Sequence, residues 1–209
     1  MRAVIFDLWE TLIDWNREAN ERMHARVRER VGFDFHERWS GASERYTVPV
    51  RTVLAGVGVP DDAMEDVLVY RADFVRHCLV PREGAVETLT ELRERGYKVG
   101  LITVCTEDVE LLWPESAFAG LFDAEIFSNA VGLSKPDPRI YRLCCEQLGV
   151  EPHESVFVGD GANDELEGAR RVGLHPILIH KPGQDPVWSE VRSWNGARVT
   201  SIPEVLEHL

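Results

Sequence analysis

Five side chains that could act together are spread over the 209-residue chain: Asp7, Thr103, Lys135, Asp160 and Asp164. Singly, each has an ordinary explanation. A carboxylate at a strand end caps a loop, and the lysine of Ser134-Lys135-Pro136-Asp137-Pro138 suits a surface turn. Gly159-Asp160-Gly161-Ala162-Asn163-Asp164 reads as a turn with a helix cap. Together they form a chemical set, because each follows a short apolar run or precedes a helical pattern. At one sheet edge they would place three carboxylates around one ammonium and one hydroxyl. Crowded carboxylates raise one another's pKa unless a cation intervenes. Mg²⁺ suits a carboxylate site that also takes phosphate. Thr103 and the backbone N–H groups after its strand could hold phosphoryl oxygens. Asp7 could then attack phosphorus in line and form an aspartyl-phosphate. The chain has only three lysines, Lys98, Lys135 and Lys181, so one inside such a segment is less readily background.

The elements that must position these groups follow from hydropathy. Buried-type strands are expected at 3–6, 99–104, 124–128, 155–158 and 176–179, with a weak one at 198–200. Helical spacing marks 16–31, 36–54 bent or broken near Pro49, and a helix to about residue 79 capped by Asp61 or Asp62. Helices are also expected at 83–95, 137–148 and 165–172, followed by Gly96, Gly149 and Gly173, with a last turn from Pro203. Alternating strands and helices predict an α/β fold, a Rossmann-like parallel sheet with helices on both faces. The strand-free stretch after the first strand is too long for an ordinary crossover. It is expected to form an all-helical cap at 15–80, with 1–14 and 81–209 as the core. Ligands of such sheets sit outside the carboxyl ends of the strands, where Asp7, Thr103, Ser128 and Asp160 all fall.

Composition narrows the partners. A net charge of −13 argues against a nucleic-acid partner or an anionic membrane. A small phosphorylated substrate remains compatible, since Lys135 and a metal would supply local positive charge. No 18-residue apolar run predicts a membrane span, and the N-terminal apolar stretch is too short for a signal peptide. Cys78, Cys105, Cys144 and Cys145 have no C-x-x-C spacing and read as reduced core residues, which fits the cytoplasm. Oligomeric state has no sequence signal here.

With these residues assembled, the chain resembles the haloacid dehalogenase-like superfamily, mostly phosphatases. That family's first motif, Asp-x-Asp-x-Thr, resembles Asp7-Leu8-Trp9-Glu10-Thr11, and its second, an apolar strand ending in Ser or Thr, resembles residues 99–103. Its third resembles Lys135-Pro136, and its fourth, Gly-Asp-x-x-x-Asp, resembles the segment from Gly159 to Asp164. The resemblance implies Asp7, Thr103 and Lys135 as catalytic residues. It implies Trp9, Thr103 and Lys135 as substrate contacts, and Asp7, the Trp9 main-chain carbonyl, Asp160 and Asp164 as Mg²⁺ ligands. A dinucleotide fingerprint fails because Asp164 takes the third glycine's place, and an EF-hand fails because Ala162 takes an Asx position. A phospho-receiver domain carries its motifs in a different order.

One position departs from the pattern. In the family's phosphatases the second aspartate of the first motif is the acid and base, and here it is Trp9. Indole moves no proton usefully. The adjacent Glu10 is expected to point the other way. The alternatives are a phosphatase for good leaving groups or with an acid borrowed from the cap, a catalytically weak binder of phospho-ligands or proteins, and a dehalogenase, whose family members carry a bulky aromatic there. C–P bond hydrolysis or another group transfer is a further option. Family dehalogenases lack the acidic pair of the fourth motif, which favours a phosphatase. In the cap, His24, His36, Trp39, Arg45 and Arg51 are weaker substrate-facing candidates.

Overall fold

A computed structural model describes residues 1–181 and 189–209. Among them six strands form one sheet in the order β3-β2-β1-β4-β5-β6, every pair parallel. They are β1 Ala3–Phe6, β2 Lys98–Thr103, β3 Ala124–Phe127, β4 Ser155–Gly159, β5 His175–Ile179 and β6 Ala197–Val199. The predicted strands are all present, with boundaries within one residue or so. The first strand is central: Phe6 lies beside Leu101 of β2 and Val158 of β4. Buried on both faces, it presents Val4 and Phe6 to one apolar layer and Ala3 and Ile5 to the other.

The helices are α1 Arg17–Val31, α2 Phe35–Gly41, α3 Val50–Gly56, α4 Met64–Cys78 and α5 Ala85–Glu94, all between β1 and β2. Then follow α6 Glu107–Leu112, α7 Ser128–Val131, α8 Pro138–Leu148, α9 Glu165–Arg171 and α10 Ser189–Arg192. Local chemistry sets the long ones. Asn16 accepts a hydrogen bond from the Ala19 N–H at the start of α1, and Gly32 ends it with φ of 76°. Asp137 caps α8 in the same way, and Gly149 closes it.

Two expectations need correction. The single helix expected at 36–54 is three pieces: α2, a 3₁₀ turn Ser43–Tyr46, and α3. Ala42 leaves helical geometry, and Pro49, which has no N–H to continue a helix, restarts it as the residue before α3. Asp61 and Asp62 do not cap α4. They lie inside a 3₁₀ turn that follows Pro60, and α4 begins at Met64. The short helices α6 and α7 had no expectation.

The helical block of α1 to α4 lies over the carboxyl edge of β2 and β3. Ser128, just after β3, donates to the Tyr46 carbonyl at 2.9 Å, and Glu107, just after β2, accepts from the Val50 N–H at 2.9 Å. The two chain crossings between block and sheet meet in an antiparallel bridge, Ile13 with Pro81. Met23, Val27, Phe35 and Phe74 of the block share one continuous apolar cluster with Phe6, Leu101 and Val158 of the sheet. Among the described residues, no helix is long and apolar enough to cross a membrane.

Candidate active site

Asp7 is the first residue past β1. Its N–H still donates to the Val158 carbonyl at 2.8 Å, which fixes the backbone, and the side chain is buried. Asp160 holds the same place after β4, next to β1 in the sheet. The order β2-β1-β4 therefore opens a crevice where the strand order reverses, the usual ligand position in such sheets. Lys135, on the loop before α8, reaches into it. Its Nζ donates to Asp7 Oδ1, and to Glu165 Oε2 at 2.5 Å. All three side chains are almost wholly buried. Burial opposes the lysine's charge, but the carboxylates of Asp7 and Glu165 outweigh it and hold Lys135 protonated far above the ordinary lysine range.

Glu165 is the residue that sequence reasoning missed. Asn163 and Asp164 both adopt left-handed backbone, φ 52° and 58°, and this double turn swings Glu165 inward. Asp164 is left exposed. Its expected place among the carboxylates is therefore corrected: Glu165 fills it. The inward carboxylate accepts from the Gly161 N–H at 3.0 Å, and the Glu165 carbonyl accepts from the Tyr141 hydroxyl at 2.9 Å. A Cβ on Gly159 would lie 2.1 Å from Glu165 Oε1, so only glycine admits this approach.

Asp7, Asp160 and Glu165 each offer a carboxylate oxygen, and the three oxygens lie within 4.8 Å of one another. Lys135 pairs with two of the three, Asp7 and Glu165. Burial, with Asp7 and Asp160 nearby, pushes the Glu165 carboxyl well above the usual range despite the lysine. Three clustered carboxylate oxygens are hard donors of the kind that fits a divalent cation such as Mg²⁺.

Thr103 ends β2 with no exposed surface, and its Oγ1 has no hydrogen-bond partner of good geometry. It lies near enough to the Cys105 thiol for a weak contact only. Thr11 Oγ1 is equally buried and unpartnered. A buried hydroxyl left unpaired costs about 1–3 kcal/mol, so Thr103, at the end of the strand beside β1, suits an oxygen-rich ligand.

Trp9 is half-buried and packs on the block side of the sheet. Its ring centroid lies 5.3 Å from that of Trp15, which lies 5.2 Å from that of Phe74 in α4. Glu10 turns away. With φ of 56° it accepts from the Trp15 N–H at 2.7 Å and from Arg82 at 3.0 Å. Neither residue thus replaces the missing acid.

The five weaker candidates are engaged within the block. His24 and His36 meet at 3.3 Å between ring nitrogens, and Trp39 stacks on Phe35. Arg45 donates to the carbonyls of Trp39, Ser40 and Ala42, and Arg51 pairs with Glu65. The residue that does bridge block and sheet edge is Arg71 of α4. Fully buried, it pairs with Asp108 at 2.6 Å and donates to Thr106 Oγ1 at 3.1 Å, on the segment just after Thr103. Its sequence signal was an arginine among the inward positions of a helix.

The sequence model of a hydrolase family, described as haloacid dehalogenase-like hydrolase, matches residues 1–173. The chain is 33% identical to (S)-2-haloacid dehalogenase 4A of Burkholderia cepacia, over 89% of this chain and 86% of that one. It is 25% identical to glyceraldehyde 3-phosphate phosphatase of Methanothermobacter thermautotrophicus, over 98% and 96%. The crystal structure of a HAD phosphatase from Thermococcus onnurineus superposes with a TM-score of 0.75 at 23% identity, covering 100% of this chain and 97% of the other.

Proposed function

The chain belongs to the haloacid dehalogenase-like hydrolase family, and from that premise we propose a Mg²⁺-dependent phosphomonoester phosphatase acting on a small phosphorylated substrate. The observation that carries this reading is the gathering of the Asp7, Asp160 and Glu165 carboxylates within 4.8 Å of one another beside Lys135. A halide displacement needs no such charge, whereas a metal-assisted phosphoryl transfer does. Asp7, Asp160, Glu165 and the Trp9 main-chain carbonyl would hold Mg²⁺, which supplies charge neutralisation to the phosphoryl oxygens.

In this reading residues 15–80 serve as a cap over a core of 1–14 and 81–209. Lys135 aims the Asp7 carboxylate by donating to its Oδ1. Thr103 donates its hydroxyl hydrogen to a phosphoryl oxygen, which gives its orphaned Oγ1 a partner. One Asp7 oxygen attacks phosphorus, the ester P–O bond breaks, and its electron pair leaves with the alcohol oxygen. Water then attacks the aspartyl-phosphate, releasing phosphate and restoring Asp7.

Trp9 gives and takes no proton, so the leaving oxygen must be weakly basic. Loss of acid–base help costs roughly 10²–10⁴ in rate. Aryl and acyl phosphates should therefore outpace alkyl phosphates. Trp9→Asp should raise alkyl phosphate turnover by up to roughly 10²-fold, read as the alkyl-to-aryl ratio of kcat/KM. An alkyl phosphate already turned over by the wild type at about 10 s⁻¹, an ordinary enzyme rate, would overturn this account of Trp9.

The bulky Trp9 and the dehalogenase relative favour a second reading, a 2-haloacid dehalogenase. Turnover of 2-chloropropionate by chelated protein, with no hydrolysis of any phosphate ester, would select it. A catalytically weak relative that binds a phospho-ligand or a protein would show binding without either turnover.

A further inference from the structure

Three rings from three segments form a row. Trp9 comes from the loop after β1, Trp15 from the crossing into the block, and Phe74 from α4. The rings meet edge-wise or tilted, at 53° and 61°, in the spacing that aromatic groups favour. Trp9 is only two residues from Asp7, so in extended backbone both side chains leave on one side. Phe74 closes the row inside the block, while the middle ring, Trp15, is 48% exposed. An open aromatic face thus lies one ring away from Trp9.

The charges around this surface are already satisfied. Glu10 and Asp14 are both bound by Arg82, and Asp14 also takes Lys181 at 2.5 Å. The Trp15 N–H is held by Glu10. What remains for an incoming group is aromatic and aliphatic surface on a pinned backbone.

We infer that the Trp9–Trp15–Phe74 row selects phosphate esters whose leaving group is a flat apolar or aromatic alcohol. The inference deepens the phosphatase reading and rests on it for the word ester. It differs from the leaving-group argument, which concerns only the acidity of the departing alcohol. Here the ring itself contributes, through stacking and displaced water, and Trp15 is a specificity-determining residue.

Two measurements separate these causes. The first compares phenyl phosphate with hexafluoroisopropyl phosphate, whose leaving alcohols are similarly acidic but differ in shape. The wild type should show a KM about tenfold lower for the phenyl ester. Trp15→Ala should shrink that difference by roughly three- to tenfold, the worth of one aromatic pair, and Trp15→Phe should restore most of it. The second is calorimetric binding of benzylphosphonate against methylphosphonate to the wild-type protein in MgCl₂, which requires no variant to fold. The benzyl compound should bind about tenfold more tightly. Equal KM values for the matched esters, or equal phosphonate affinities, overturn the inference while leaving the phosphatase reading in place. A retained phosphonate preference with no ester hydrolysed overturns the phosphatase reading and supports the row.

Discussion

Two buried cations in this molecule are treated in opposite ways. Arg71 meets one carboxylate, Asp108, with side-chain exposures of 3% and 8%. Thr106 ties the pair by accepting from Arg71 and donating to Asp108, and the Trp39 ring lies 3.8 Å from the guanidinium carbon. That cluster pairs one cation with one anion. Lys135 is buried as deeply, yet faces two carboxylates directly and a third nearby. The first cluster joins α4 to the segment after β2, and the second gathers carboxylates in the crevice at the ends of β1 and β4.

The sharpest way to break this comparison is to remove each cation. Lys135→Met should lower kcat/KM for an acyl phosphate by about 10³-fold, the scale of losing a preorganised charge at the reacting group. Steady-state kinetics would show it. Arg71→Met should cost about 3–5 kcal/mol of stability, because Asp108 is left buried and alone. The double replacement Arg71→Met with Asp108→Leu should recover most of that loss in urea melts, as an apolar pair does for a balanced ion pair. If the double variant stays as unstable as the single one, the pair does more than close an interface.

Adding a cation sharpens the contrast from the other side. Mg²⁺ at about 100 times its Kd should stabilise the folded protein by about 2.7 kcal/mol, seen as a rise in Tm. Asp160→Asn should remove most of the rise, whereas Asp164→Asn should leave it nearly intact, since Asp164 points to solvent. An equal loss in both variants would return Asp164 to the site.

The smallest effect concerns His24, beside the Arg71 cluster. Burial, with His36 and Arg71 close by, lowers its pKa to about 4, while Asp34 acts weakly the other way. The unfolded ring binds its proton near pH 6.5, so stability is complete above that pH and falls as pH drops towards 4. The ring keeps some solvent contact, so the loss should be about 1 kcal/mol. Denaturant midpoints at pH 7 and pH 5 should differ for wild type, and the difference should shrink in His24→Gln.

Much of this was legible in the sequence. The ends of β1, β2 and β4 announce themselves because buried parallel strands are unbroken apolar runs, and a polar residue must mark where each emerges. That placed Asp7, Thr103 and Asp160 on one edge. The choice between Asp164 and Glu165 was not legible. Two adjacent carboxylates look alike, and only the left-handed turn at Asn163 and Asp164 decides which one faces inward. The helices α6 and α7 escaped because elements of six and four residues are set by packing rather than periodicity. The Arg71–Asp108 pair is 37 positions apart in sequence and joins two elements, so neither residue signalled its partner.

The central position of β1 has a consequence in time. Asp7 lies just past β1, which pairs with residues 98–101 on one side and 155–158 on the other. During synthesis, the first strand therefore emerges with no partner and waits while the whole helical block is made. Sheet growth must begin by closing a loop of about 95 residues, the kind of non-local pairing that slows folding. The crevice around Asp7 is complete only once β4 and α9 have left the ribosome, so a nascent chain shorter than that carries Asp7 without the Asp160 and Glu165 carboxylates that gather beside it.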